Sequence, residues 1–364
     1  MSPTSRLSAE HLLSGPRGRR LLLQFAIESE REAFPDGDGP LGHSIFEASY
    51  RLAKRRGHSI ARFGWGPGAN DPDHVPDVLP HDVARELQSV LLIEPEETVL
   101  RFCLAQSVDA AMYWQEPDGD DLLAAVPSVR DALARVAEWV ASSSEASWLS
   151  TSIHREKQWQ LHWLEDDIIP RPAQTALEAW RAETIDREAW ADTEGSAAWW
   201  STPPHGLAKS CGSLPDGAPS GLWFVEDTVG WKEADARRIK IPPSTTIYEI
   251  HGPEDWAMLC RAYSCEVTRQ KQYDWREATG RAGRWVMPDW ARMAEHYDAV
   301  HLTYAGYLSA AGVPIPVDDD TASLIAGWNP DATYWLTDVE ETGDPVPWRC
   351  HGYVGEGDWR VDGE

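Results

Sequence analysis

Twenty tryptophans, eight before position 191 and twelve after it, are the feature that most limits how this chain can fold. Each indole is a large rigid ring that gains from burial and carries an N–H in need of an acceptor, so the fold must supply a heavily aromatic core or a stacking pocket. A core is the simpler reading. The chain has 364 residues, more than the roughly 250–300 that one hydrophobic core serves, and this predicts two domains. Hydrophobic residues at 42% and charged residues at 25% are ordinary globular values and argue against wholesale disorder.

Charge narrows the partners. Lys and Arg number 33 against 59 Asp and Glu, a formal charge of −26 that repels phosphate backbones and anionic lipid surfaces, so nucleic acid is disfavoured. The densest basic cluster, Arg51, Lys54, Arg55 and Arg56, has the spacing of a solvated helix face. The five cysteines form neither a CxxC pair nor an even framework, which suits a reducing compartment. No apolar run approaches the ~20 residues of a membrane helix, and MSPTSRLSAEHLL lacks the pattern of a secretory leader. The expectation is a cytoplasmic protein with no membrane span.

Local patterning predicts an α+β fold. RRLLLQFAIESE from Arg19 reads as a buried strand, residues 42–57 as a helix, 64–80 as a Gly- and Pro-rich loop and 89–94 as a second strand. Apolar residues at helical spacing over 96–114 and 126–140 predict two helices packed as an antiparallel hairpin, 96–142, closing an N-terminal domain of residues 1–163. Residues 164–195 read as a connector. A Trp-rich domain, 196–364, follows, with strands expected at 221–226, 245–250 and 299–304 and helices opening at Pro253 and Pro288. The unequal spacing of these elements favours α+β over a doubly wound parallel sheet.

The common enzymatic signatures are missing. There is no GxxxxGK[ST] phosphate loop, HExxH, GxSxG elbow or EF-hand loop. The twelve histidines are scattered without metal-ligand spacing, and the acidic run Asp318–Asp320 reads as a solvated loop, so no metal is expected.

The second half carries an ordered succession: WWSTPPHG at 199–206, PSGLWFVED at 219–227 with Trp231 after it, PDWARMAEHYDAVHLTYAGYL at 288–308 and AGWNPDATYWL at 326–336. It resembles a bacterial family whose members carry a Gly-Leu-Trp strand, an Asp-Trp helix leading into a Tyr-Asp strand, and a Trp-rich terminal strand. More distantly, the same order resembles the split-sheet layout of ADP-ribosyltransferases, and STSIH at 150–154 is similar to the Ser-Thr-Ser element of one class of them. The resemblance implies NAD as substrate. It implies a catalytic carboxylate at Asp331, or at Asp298 or Glu226, with His301 in the catalytic set, and a nicotinamide pocket drawn from Ser201, Thr202, His205, Trp223 and Tyr307. In such enzymes cleavage of the nicotinamide bond leaves positive charge on the ribose, which a nearby carboxylate stabilises while aromatic walls hold the leaving group. The chain departs from that pattern in having no Glu-x-Glu on a late strand, and no Arg or His on the first strand unless His205 serves.

Each residue also has a structural reading. Ser201 and Thr202 precede two prolines and suit a turn, Trp223 and His301 suit the core, and Asp331 after Asn329-Pro330 is a turn-former. Two other functions fit the sequence. One is a non-enzymatic, immunity- or antitoxin-like protein that binds a basic protein partner through its charge. The other is carbohydrate or small-molecule binding on exposed Trp platforms.

Overall fold

The computed structural model describes residues 7–35, 37, 39–59, 77–165, 171–196, 198–226, 230–352 and 358–363. Its first third is helical: α1 (Ala9–Ser14), α2 (Pro16–Arg31), α3 (Pro40–Arg55), α4 (Pro80–Ser89), α5 (Glu97–Asp109), α6 (Gly119–Ala125) and α7 (Pro127–Ser142). Proline opens α2, α3, α4 and α7 at the first helical turn, where its missing N–H costs nothing and its fixed φ is already helical.

The strand expected from Arg19 is instead the body of α2. Leu21, Leu22, Leu23, Phe25 and Ala26 are all buried, because α1, α5, α6 and α7 pack around this helix. A run with five apolar residues in the six positions 21–26 also fits a buried strand, and it masks the less buried polar stripe of Arg20, Gln24, Glu28 and Arg31 at helical spacing. Residues 89–94 form no strand either. Ser89 ends α4 and residues 90–96 link it to α5, with side chains bonding their backbone: Arg135 donates to the Val90 carbonyl at 2.9 Å, Trp139 Nε1 to that of Ile93 at 2.8 Å, and the Ile93 N–H donates to Ser29 Oγ at 3.4 Å. The two helices expected over 96–142 exist but are no hairpin. With α6 between them, α5 packs chiefly on α2 and α7 on α4.

The remaining elements are β1 (Trp159–Trp163), α8 (Ala173–Trp190), β2 (Lys209–Cys211), β3 (Glu233–Lys240), β4 (Ile247–Ile250), α9 (Pro253–Ala262), β5 (Ser264–Glu266), α10 (Thr268–Thr279), β6 (Arg284–Pro288), α11 (Trp290–Met293), β7 (Ala299–Leu302), α12 (Tyr304–Ala310), β8 (Ile315–Pro316), β9 (Thr321–Ser323), β10 (Ala332–Trp335), β11 (Glu340–His351) and β12 (Asp358–Val361). One sheet runs β12-β11-β3-β1-β2-β10-β7-β4, antiparallel except for the β4–β7 pair; a second runs β5-β6-β9-β8. The fold is α+β. β1, from the end of the first 163 residues, lies between β3 and β2, and one continuous apolar core joins Leu7 to Leu336. The connector expected at 164–195 contains the 18-residue α8, which packs on α10 and α11.

Strands expected at 245–250 and 299–304 are β4 and β7, but residues 221–226 form no strand: a 3-10 turn, Ser220–Leu222, leads into a second turn. Pro253 does open α9, whereas Pro288 ends β6 and Asp289 caps α11 by accepting from the Arg292 N–H. The loop expected over 64–80 falls mostly outside the described residues.

The tryptophans include a buried set and a half-buried set, and of the fully buried indoles Trp285 and Trp290 have no acceptor for their N–H among the described residues. Trp256, Trp275, Trp285, Trp290, Trp328 and Trp335 are fully buried. Trp256 Nε1 donates to Ser323 Oγ and Trp335 Nε1 to Ser210 Oγ, each at 2.9 Å. Trp163, Trp199, Trp200 and Trp231 are half-buried, and they define the site. Among the described residues no helix is long and apolar enough to cross a membrane.

Candidate functional site

Two adjoining cavities open on the second half of the chain and share Trp200 and His205 in their walls. The first, of about 450 Å³, is the aromatic one. On one side Trp163, from β1, leans on Trp231 with ring centroids 5.2 Å apart. On the other, Trp199 and Trp200 meet edge to face at 6.0 Å, and the His205 ring lies 5.2 Å from Trp200. Tyr334 of β10, Gly327, Asn329 and Glu226 complete the wall.

Three consecutive carbonyls fix the Trp199–Trp200 side, and α10 catches them all. Lys271 Nζ donates to the Ala198 and Trp200 carbonyls at 2.5 and 2.6 Å, and Trp275 Nε1, one helical turn on, donates to that of Trp199 at 2.6 Å. Ser201 closes the segment from the opposite side: its N–H donates to the Ala326 carbonyl at 2.9 Å, and its Oγ accepts from the Ala326 N–H at 3.0 Å. Gly327 follows with φ +73°, and a Cβ there would stand 2.8 Å from that of Trp200, so glycine is required both by the left-handed backbone and by the ring beside it.

Glu226 joins the cavity to the helical layer. Its N–H donates to Asn329 Oδ1 at 2.9 Å. Its carboxyl is buried beside Tyr307, Arg17, the Gly327 N–H and Tyr113, and among the described residues neither oxygen has a hydrogen-bond partner at normal geometry. Burial raises this acid to about 8 against the nearby Tyr307 and Arg17, which pull it down. Arg17 is itself ion-paired with Asp121 and donates to the Ser107 carbonyl at 2.7 Å.

The second cavity, of about 600 Å³, lies between α8 and α10 and is lined by Arg171, Arg187, Lys271 and Thr202, with Glu183 opposite. Burial lowers Lys271 to about 7.

Asp331 and His301 come together, but in a separate cluster under the sheet. The Asp331 carboxylate accepts from the Gly212 N–H at 2.8 Å, Ser220 Oγ at 2.7 Å and the Tyr304 hydroxyl at 3.1 Å. Its backbone has φ 60°, a left-handed conformation that Asp tolerates better than most residues. Burial raises Asp331 to about 6 and lowers His301 to about 3, so the imidazole is neutral. His301 Nδ1 lies 2.9 Å from Thr333 Oγ1, and its Nε2, without a hydrogen-bond partner, 3.7 Å from Asp331 Oδ1. Cys211 is buried in the same cluster and pushed up to about 12, first by burial and then by Asp331.

Of the residues singled out from sequence, Glu226 and His205 line the aromatic cavity, Thr202 and His205 the second, and Tyr307 stands behind Glu226. Ser201 sits in the wall as a backbone tie. Trp223 is on a turn rather than a strand, and the Arg101 guanidinium lies 5.0 Å from its ring. Asp298 caps the start of β4, accepting from the Thr246 N–H at 2.7 Å. Ser150 ends a 3-10 turn after α7. Sequence reasoning missed Trp163, Tyr334, Arg171, Arg187 and Lys271; the one signal for the last was a lysine one helical turn before Trp275. Among the described residues no group of three or more His, Cys, Asp or Glu is placed to hold a metal ion. No family model, curated protein or solved structure matches the chain.

Proposed function

We propose that the aromatic cavity takes the nicotinamide end of NAD and that the protein is an NAD-consuming enzyme of the ADP-ribosyltransferase or NAD glycohydrolase kind. The observation that carries this is the pairing of a slot walled by Trp163, Trp231, Trp199, Trp200 and Tyr334 with a buried carboxyl, Glu226, in its wall. Aromatic faces hold a planar leaving group. A carboxylate close to the ribose stabilises the positive charge that develops when the bond from C1′ to the nicotinamide nitrogen breaks and its electron pair leaves with the ring. Water or an acceptor then bonds to C1′ and releases a proton. Glu226 takes the role first given to Asp331, whose carboxylate is occupied by three donors in a separate cluster.

Binding is tested by intrinsic fluorescence and thermal shift. NAD and nicotinamide are expected to quench the wild-type indoles and to raise Tm, by about 2.7 kcal/mol of stabilisation at a hundredfold excess over Kd. Trp200→Ala should lose both effects while keeping its far-UV circular dichroism. A Trp200→Ala response equal to wild type would remove the aromatic slot from the account.

The charge of −26 supports a second reading, an acidic interaction protein for a basic partner. That reading predicts strongly salt-dependent association with the partner and no turnover of the dinucleotide.

A further inference from the structure

We propose that the cavity between α8 and α10 is a phosphate subsite, taking the phosphoryl groups of a nucleotide whose ring occupies the adjoining aromatic cavity. The inference rests on that reading of the aromatic half and adds to it the anionic half of the ligand. Its ground is a local reversal of charge. In a chain with 59 acidic against 33 basic residues, this cavity is lined by Arg171, Arg187 and Lys271 against a single carboxylate, Glu183. Glu183 pairs with Arg187 one helical turn away along α8, whereas Arg171 has no carboxylate partner among the described residues. Guanidinium groups offer planar forked donors that match phosphate oxygens.

Two buried groups point the same way. Thr202 is 1% exposed, and among the described residues its Oγ1 has only the Tyr334 hydroxyl beside it and no hydrogen-bond partner at normal geometry. Lys271 is 3% exposed and already gives two hydrogen bonds to the Ala198 and Trp200 carbonyls, which leaves the third donor of its ammonium form unassigned. The charged and titratable groups around it are Arg187 and Glu188 from α8, Asp274 from its own helix and Cys265 from β5. Burial and Arg187 disfavour its charged form, and an added phosphate dianion favours it. Both cavities share Trp200 and His205 in their walls, so a ligand stacked in one lies beside the other.

The experiment is titration calorimetry of the full chain with pyrophosphate, ADP and adenosine at pH 8 and low salt, in two buffers of different ionisation enthalpy. Pyrophosphate is expected to bind the wild type with net proton uptake, and ADP at least tenfold more tightly than pyrophosphate or adenosine. Arg171→Gln/Arg187→Gln, both at exposed positions of the cavity mouth, should weaken pyrophosphate and ADP at least tenfold and leave nicotinamide binding unchanged. Lys271→Arg should bind pyrophosphate without the proton uptake. Equal pyrophosphate affinity in wild type and the double variant would overturn the subsite, as would no binding of pyrophosphate or ADP. Equal affinity for ADP and pyrophosphate would overturn the assignment to a nucleotide. Failure of NAD turnover with pyrophosphate still held by Arg171 and Arg187 would remove the enzymatic reading and keep the subsite, so the two fail separately.

Discussion

Glu226 and Asp331 are both fully buried, and burial raises the carboxyl of each against the different donors around it. Both hold their proton more tightly folded than unfolded, to about 8 and about 6, so each favours the folded state most at low pH. Glu226 gives its full contribution below about pH 4.5 and loses it as pH rises through 8, at about 1.4 kcal/mol for each tenfold in proton affinity. Glu226→Gln should therefore gain on wild type in Tm between pH 5 and 8 and hold that gain above; a Tm difference independent of pH would show that the carboxyl is not buried as described. Asp331→Ala should cost about 1–3 kcal/mol in urea denaturation for each donor that it strands, the three being Gly212, Ser220 and Tyr304. The turn at Asn329-Pro330-Asp331 was legible from residue type. The carboxylate's three donors were not, because they come from residues 212, 220 and 304, and sequence order carries no sign of that meeting.

Burial did not decide which elements were legible, since β7 is buried throughout and falls where patterning places it, whereas the apolar run inside α2 does not. α3, α9, β4 and β7 fall where local patterning places them, whereas in α2 the apolar run 21–26 masks the polar stripe of Arg20, Gln24, Glu28 and Arg31, and residues 89–94 look like a strand without having a strand partner. Residues 221–226 are apolar because the turn they form is buried against Arg101 and Trp348, not because they pair in a sheet. Packing between elements is close where α12 meets β4: a Cβ on Gly306 would stand 2.2 Å from the Ile250 carbonyl oxygen. Gly306→Ala should force α12 away from the sheet and cost about 1–3 kcal/mol or more. Unchanged denaturation midpoints in that variant would contradict the close approach.

At the scale of the whole molecule, the α+β class followed from patterning, while composition left an aromatic core and a stacking pocket as alternatives and the sheet order was not legible. β1 pairs with strands that begin 50 or more residues later, and such pairings depend on the closing of long loops rather than on local propensity. The same long-range closure makes the site: Trp163 on β1, Trp199 and Trp200 before β2, Glu226 after a turn and Tyr334 on β10 converge only once the sheet is formed. The central claim is that this convergence consumes NAD, and the direct test is chromatographic release of nicotinamide from NAD by the purified protein. The account predicts release that rises with pH through about 8 as Glu226 ionises, falls at least a hundredfold in Glu226→Gln, and persists in the fraction of Asp331→Asn that remains folded. No release across a range of NAD concentrations and pH, by a wild-type protein shown to be folded, would contradict it.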